Sequence, residues 1–102
     1  MSACTVRAVL RENARAVPSG TDKAALHLLL RIDGHQHGVL ATQAYAGVGA
    51  GWMAAKDAQR FTRGRQVTVW CAGFGTDGDG RLRLFGVDHV LANAVHAEKG
   101  AA

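Results

Sequence analysis

Two segments in the second half of the chain constrain its fold most strongly. From Gln66 to Phe74, in QVTVWCAGF, and from Arg81 to Val90, in RLRLFGVDHV, apolar residues recur at every second position. A period of two belongs to a strand with one covered face. Between the segments lies GTDGDG, which supplies the Asp-Gly steps that tight hairpin turns favour. Ahead of them, Ala54, Ala58 and Phe61 recur at helical spacing within Trp52 to Phe61, and Gly64 closes that segment. The unit is a short helix feeding a β-hairpin. Val67, Val69, Cys71, Leu82 and Leu84 fall on its inner side. Thr68, Trp70, Ala72, Phe74, Arg81, Arg83 and Phe85 fall on its outer side.

The first half reads as three further strands. Ala3 to Leu10 alternates loosely, and Val17 to Asp22 reads as a turn around Pro18 and Gly20. In Ala24 to Asp33, Leu26, Leu28, Leu30 and Ile32 share one face, and His27, Leu29 and Arg31 share the other. Its leucines would also suit a helix, but a Gly34 to Gly38 turn and an extended Val39 to Tyr45 argue for a hairpin. Ala46 to Gly51 is a glycine-rich connector. The order is β-β-β-α-β-β, the order of the OB-fold, a five-stranded Greek-key barrel. The expected fold class is therefore all-β with one short helix. Closure removes exposed strand edges in so short a chain. The expected interior is Val6, Ala8, Leu26, Leu28, Leu30, Ile32, Val67, Val69, Cys71, Leu82, Leu84 and Val87. Residues 1–92 are expected to form one domain and 93–102 a frayed tail.

At 102 residues the chain suffices for a single core. Its twelve Lys+Arg against eight Asp+Glu leave a formal charge of +4, and most of the cations are arginine. Arginine forks onto phosphates and stacks on flat rings, so a polyanionic partner is favoured. The start, MSACTVRAVLRENAR, has charges breaking every apolar run, so no signal peptide or membrane span is expected and the cytoplasm follows. Cys4 and Cys71 are expected to be a surface thiol and a small core residue.

Several motifs carry no chemistry on this reading. Gly47 to Gly51 lacks the last glycine of a dinucleotide loop and the GK[ST] of a P-loop. Asp77 to Gly80 lacks the downstream glutamate of a calcium loop. His35 and His37 could pin a metal with His27 or His89 as a third ligand, but two histidines in a turn are more often polar loop residues, and no catalytic constellation stands out. No enzyme, cofactor or metal is expected. The outward Trp70, Phe74 and Phe85 with Arg81 and Arg83 suit an unpaired nucleic-acid strand, bases stacking on rings and arginines meeting phosphates. Arg7, His27 and Arg31 extend that surface, and Arg63 and Arg65 cluster at the helix end. Covering of Trp70 and Phe74 by another subunit is the competing use of the same side chains.

Taken together, AAKDAQRFTRGRQVTVWCAG, GRLRLFGVDHVL and the stretch from Val6 to Ile32 resemble the bacterial single-stranded DNA-binding protein family, including its relative primosomal replication protein N. The resemblance spans most of the chain. It implies an OB-fold that binds single-stranded DNA with little sequence preference, usually as a homo-dimer or homo-tetramer. The implied setting is replication, repair or recombination, with proteins of those processes as partners. RNA binding is a variant of this reading, and protein–protein assembly is the alternative. By position, Trp52, Trp70, Phe74 and Phe85 are the side chains the resemblance puts forward for stacking. The chain departs from the family pattern in ending AEKGAA rather than in a glycine-rich linker and acidic tip. Its third strand, GVLATQAYAG, lacks an aromatic-rich run. The N-terminus also lacks an Asn-x-[apolar] opening, and the three departures together point to a primosome-like or mobile-element-encoded variant.

Overall fold

In the computed structural model, residues 4–93 are described. Eight strands and one helix occur among them: β1 Cys4–Leu10, β2 Arg15–Gly20, β3 Lys23–Arg31, β4 Val39–Ala46, α1 Ala50–Ala58, β5 Gln66–Cys71, β6 Gly73–Thr76, β7 Leu82–Phe85 and β8 His89–Ala92. Of the expected tail, 93–102, Asn93 is described and accepts hydrogen bonds from Arg65 and Thr68, and 94–102 lie outside the described residues.

These eight strands make the five of an OB-fold. β1 and β2 are two arms of one bent strand, both antiparallel to β3. β5 and β6 are a second broken strand, and β7 and β8 a third. β3 pairs β4 antiparallel, β4 meets β7 in parallel, and β7 pairs β6. β5 returns to β1 through the register Cys4↔Cys71 to Val9↔Gln66, which closes the barrel. Only β2 lies off this path, as an edge on β3. Pro18 sits there at no cost to a central ladder.

Three sequence expectations need correction. The expected turn over Val17 to Asp22 is mostly strand: Val17 and Pro18 pair with Ala25 and Ala24, and the reversal is confined to Thr21 and Asp22. Asp22 there adopts φ 54°, a left-handed conformation that Asp tolerates. The helix runs from Ala50 to Ala58 rather than Trp52 to Phe61. Beyond it the chain tightens into i→i−3 bonds, Arg60 N–H to Asp57 O at 2.9 Å and Phe61 N–H to Ala58 O at 3.3 Å. The last two expected strands are each broken, at Ala72 and at Gly86 to Asp88.

The core follows the alternation. Val6, Ala8, Leu26, Leu28, Leu30, Ile32, Val67, Val69, Cys71 and Leu84 are buried, and Leu82 and Val87 pack partly buried against them. Leu10, Ala14, Val39, Ala41, Phe61 and Val90 complete the barrel interior. A second cluster joins the helix to the sheet through small side chains: Ala50 and Ala54 meet Ala24, with Ala16 and Tyr45 beside them. Tyr45 donates its hydroxyl to Asp57 Oδ2 at 2.6 Å, tying β4 to α1. Burial first, and then that bond to a carboxylate, push the phenol well above its ordinary value.

Candidate nucleic-acid interface

Direct partners on neighbouring strands share a face, so the register reads out the barrel's outer surface. On β2, β3 and β4 one outer row is Arg15, His27 and Thr42. The next, on β3, β4 and β7, is Leu29, Leu40 and Arg83. A groove of about 1160 Å³ lies over these rows. Its walls are the β1–β2 bend with Arg11, Glu12 and Arg15, the β3–β4 loop with His35 and His37, and the β6–β7 turn with Arg81. Leu29 and Leu40 line it as well.

The bend that presents Arg11 and Arg15 is built by hydrogen bonds. From the pair Leu10↔Leu30 to the pair Arg15↔His27, the chain takes five steps against three on β3. The surplus residues form a kink that keeps inward and outward phases intact. Arg11 N–H donates to Leu29 O at 2.9 Å and Ala14 N–H to Phe61 O at 2.8 Å. Arg63 N–H donates to Asn13 Oδ1 at 2.8 Å. The post-helix loop therefore braces the bend, with buried Phe61 as its anchor. Opposite, Gly38 keeps the β3–β4 loop close to the floor. A Cβ there would lie 2.7 Å from Leu29 Cδ1 and 3.3 Å from Arg11 Nη1.

The β6–β7 turn is locked by one carboxylate. Asp77 Oδ1 accepts from Asp79 N–H at 2.9 Å and from Arg81 N–H at 3.0 Å. These backbone donors, Arg81 foremost, and the nearby charges of Arg83 and Arg81 hold the Asp77 carboxyl below its ordinary range. Arg83 Nε lies 3.8 Å from Asp77 Oδ2, so that guanidinium already faces a carboxylate. Arg81 carries no such contact among the described residues and lines the groove.

The surface expected from the hairpin is divided by a register slip. Trp70 pairs His89, but three residues later on that strand Gly73 pairs Phe85, four residues back on the other. The extra residue, at Gly86 to Asp88, changes which side chains meet across the hairpin. Phe74 stands opposite Leu84 rather than beside Phe85. It stacks on His35 of the β3–β4 loop, with ring centroids 5.4 Å apart and planes at 19°. Phe85 lies over Gly75, where an added Cβ would meet its ring at 2.5 Å. Phe74 and Phe85 remain 44% and 42% exposed.

Of the residues expected to bind, Arg81 lines the groove, Arg83 pairs Leu40 of its floor, His27 pairs Arg15 of its wall, and Phe74 stacks on His35, while Phe85 lies over Gly75. Arg31 ends β3 and pairs Val9. Trp70 and Arg7 lie on another outer face, formed by β1, β5 and β8. There Trp70 pairs Thr5 and His89, Arg7 pairs Thr68, and Thr68 pairs Leu91. Trp52 stands on α1, 68% exposed, with Lys56 Nζ 5.1 Å from its ring centroid. Arg65 donates from Nε and Nη2 to Asn93 O at 3.2 and 2.9 Å, so its fork is used internally. Arg63 lies exposed in the loop before β5.

Arg11, Arg15, Leu40, His35 and His37 are groove residues that the sequence reading did not put forward for binding. The two arginines belong to a bend that has no periodicity. The histidines were weighed as metal ligands, and among the described residues no group of three His, Cys, Asp or Glu side chains could hold a metal ion. Leu29 and Leu40 carried one usable signal, as large apolar residues on the outward phase of their strands.

No protein-family model matches this sequence, and no curated protein does. A search of solved structures finds the SSB domain of a protein from Synechococcus sp., with a TM-score of 0.67 and 13% sequence identity. The match covers 89% of this chain and 94% of that one. At that identity the likeness is one of fold. It confirms the OB-fold barrel that the strand order predicts. No helix among the described residues is long and apolar enough to cross a membrane.

Proposed function

We propose that this protein binds single-stranded nucleic acid, DNA in the first instance, along the groove over β3 and β4, without catalysing a reaction. The observation that carries this reading is the groove's lining. Three arginines, Arg11, Arg15 and Arg81, line it with a single carboxylate, Glu12, and with Leu29 and Leu40. The stacked His35–Phe74 pair stands at one side. Guanidinium groups fit backbone phosphates, and flat rings and leucines fit base faces. The face of the second and third OB strands, here β3 and β4, and the loop between the fourth and fifth, here the β6–β7 turn, are surfaces OB-folds use for oligonucleotides. The likeness to an SSB domain supports the same partner class. His27, Arg31, Arg83 and Phe85 would extend the path along the barrel. A role in replication, repair or recombination accords with such binding.

The β1–β5–β8 face supports a second use. Leu91 is 49% exposed there, and Trp70 packs against His89 with centroids 5.5 Å apart. Leu91 and Trp70, remote from the groove, suit contact with a second copy of the chain, in a homo-dimer or homo-tetramer. Two measurements separate the faces. Labelled oligo-dT should show saturable anisotropy changes that weaken as salt rises. Absence of binding by the folded protein at low salt would overturn the proposal. Trp70→Ala should lower the mass seen by light scattering and leave oligo-dT affinity unchanged.

A further inference from the structure

Cys4 and Cys71 do not fit the expectation of one surface thiol and one core residue. They are direct cross-strand partners at the end of the β1–β5 ladder. Both are free, Cys71 buried and Cys4 half-buried, and their Sγ atoms are 3.4 Å apart. Direct antiparallel partners have Cα separations of roughly 4.5–5.5 Å, inside the span that a disulfide bridges. Closing the sulfurs from contact to bond distance therefore asks for side-chain rotation and no change of register.

We propose that Cys4 and Cys71 form a reversible intramolecular disulfide when the protein meets a peroxide, a redox staple that fastens the first strand to β5. The two thiols divide the labour by exposure. Cys4, the accessible one, attacks hydrogen peroxide as the thiolate. Its sulfur takes one oxygen as a sulfenic acid, and the other oxygen leaves as water after protonation. The Cys71 sulfur then attacks the sulfenic sulfur, the S–S bond forms, and a second water departs with the thiol proton. Two thiols have lost two electrons and two protons, and one peroxide has become two waters. Burial, and next its hydrogen bond with Cys4, push the Cys71 thiol up to about 11, which argues against Cys71 making the first attack.

The staple sits away from the groove. Arg11 lies seven residues beyond Cys4, just past the end of β1, roughly 20 Å along the extended chain. Oxidation should therefore change stability while leaving the nucleic-acid path as it is. A bond between positions so far apart in sequence constrains the unfolded chain strongly.

The test treats the full-length protein with a small excess of hydrogen peroxide and follows intact mass, free thiols and thermal melting. The expected result is a monomer lighter by about 2 Da with no titratable thiol, and a melting temperature higher by at least about 10 °C. Dithiothreitol should reverse both. Cys4→Ser replaces the half-buried partner, so it should fold, and it should show neither change; Cys71→Ala serves as the second control. Thiols that persist after treatment, a disulfide-linked dimer, or stepwise oxygen addition without bond formation would each overturn the proposal. So would a bond that leaves the melting temperature unchanged.

Discussion

The groove reading makes a quantitative demand on three side chains. Arg11, Arg15 and Arg81 line the groove, and no ion pair engages any of them among the described residues. If each neutralises one phosphate of a bound single strand, each contributes about −0.7 to the slope of log K against log salt. Replacing all three by glutamine should make that slope shallower by about 2. At 0.1 M salt the same displacement weakens binding by roughly 100-fold, or about 2.8 kcal/mol, close to 0.9 kcal/mol for each arginine. Anisotropy titrations of labelled oligo-dT from roughly 20 to roughly 300 mM salt measure it directly. The three side chains lie on exposed loop and strand positions, so melting should barely change. Arg7, Arg63 and Arg65 provide the matched control, because none lines the groove. A triple Arg11, Arg15 and Arg81 variant with an unaltered slope would refute the assignment. An equal effect from the control set would reduce it to net charge.

Three further outcomes follow from the packing. Gly38→Ala places a methyl against Leu29 and Arg11, both able to move; stability should fall by about 1 kcal/mol and oligo-dT affinity by roughly tenfold, read by urea titration and anisotropy. Phe61→Ala removes the anchor of the post-helix loop and should cost about 3–5 kcal/mol in chemical denaturation, since Phe61 is buried in the main core. Raising the pH should destabilise the reduced protein through Cys71. Its thiol titrates at about 11 when folded against 9.0 for the free group, so the unfolded state releases its proton first. The stabilisation is full below pH 9 and is lost as pH climbs toward 11. Urea titrations across that window should show a smaller decline in Cys71→Ala. An identical decline would show that other groups, Tyr45 among them, carry it.

The barrel was legible because its strands alternate. Val67, Val69 and Cys71 are buried beside Val6 and Ala8 as period two requires, and Leu26, Leu28 and Leu30 lie within the same core. The leucine-rich β3 resolves as extended because its neighbour β4 pairs it over eight residues, a ladder that a helix could not offer. The candidate site was less legible. Alternation places a side chain inside or outside its own strand but carries no information on which strands adjoin. A single extra residue at Gly86 to Asp88 set Phe74 against Leu84 and left Phe85 to cover Gly75. The arginines of the β1–β2 bend belong to a segment whose position depends on hydrogen bonds to Leu29, and on those joining residues 10–14 to residues 61–65.

By itself, then, the sequence determined the fold class, most of the interior and the basic, arginine-rich exterior. These depend on local periodicity and composition, which survive without knowledge of neighbours. Tertiary structure alone decided which outer residues share a surface. Barrel closure brings the bend after β1, the loop after β3 and the turn after β6 around Leu29 and Leu40, and it turns Trp70 and Arg7 onto the β1–β5–β8 face. It also set Cys4 against Cys71, sixty-seven residues apart in the chain. Contacts of that range are fixed by register and closure, and neither is written in any one segment.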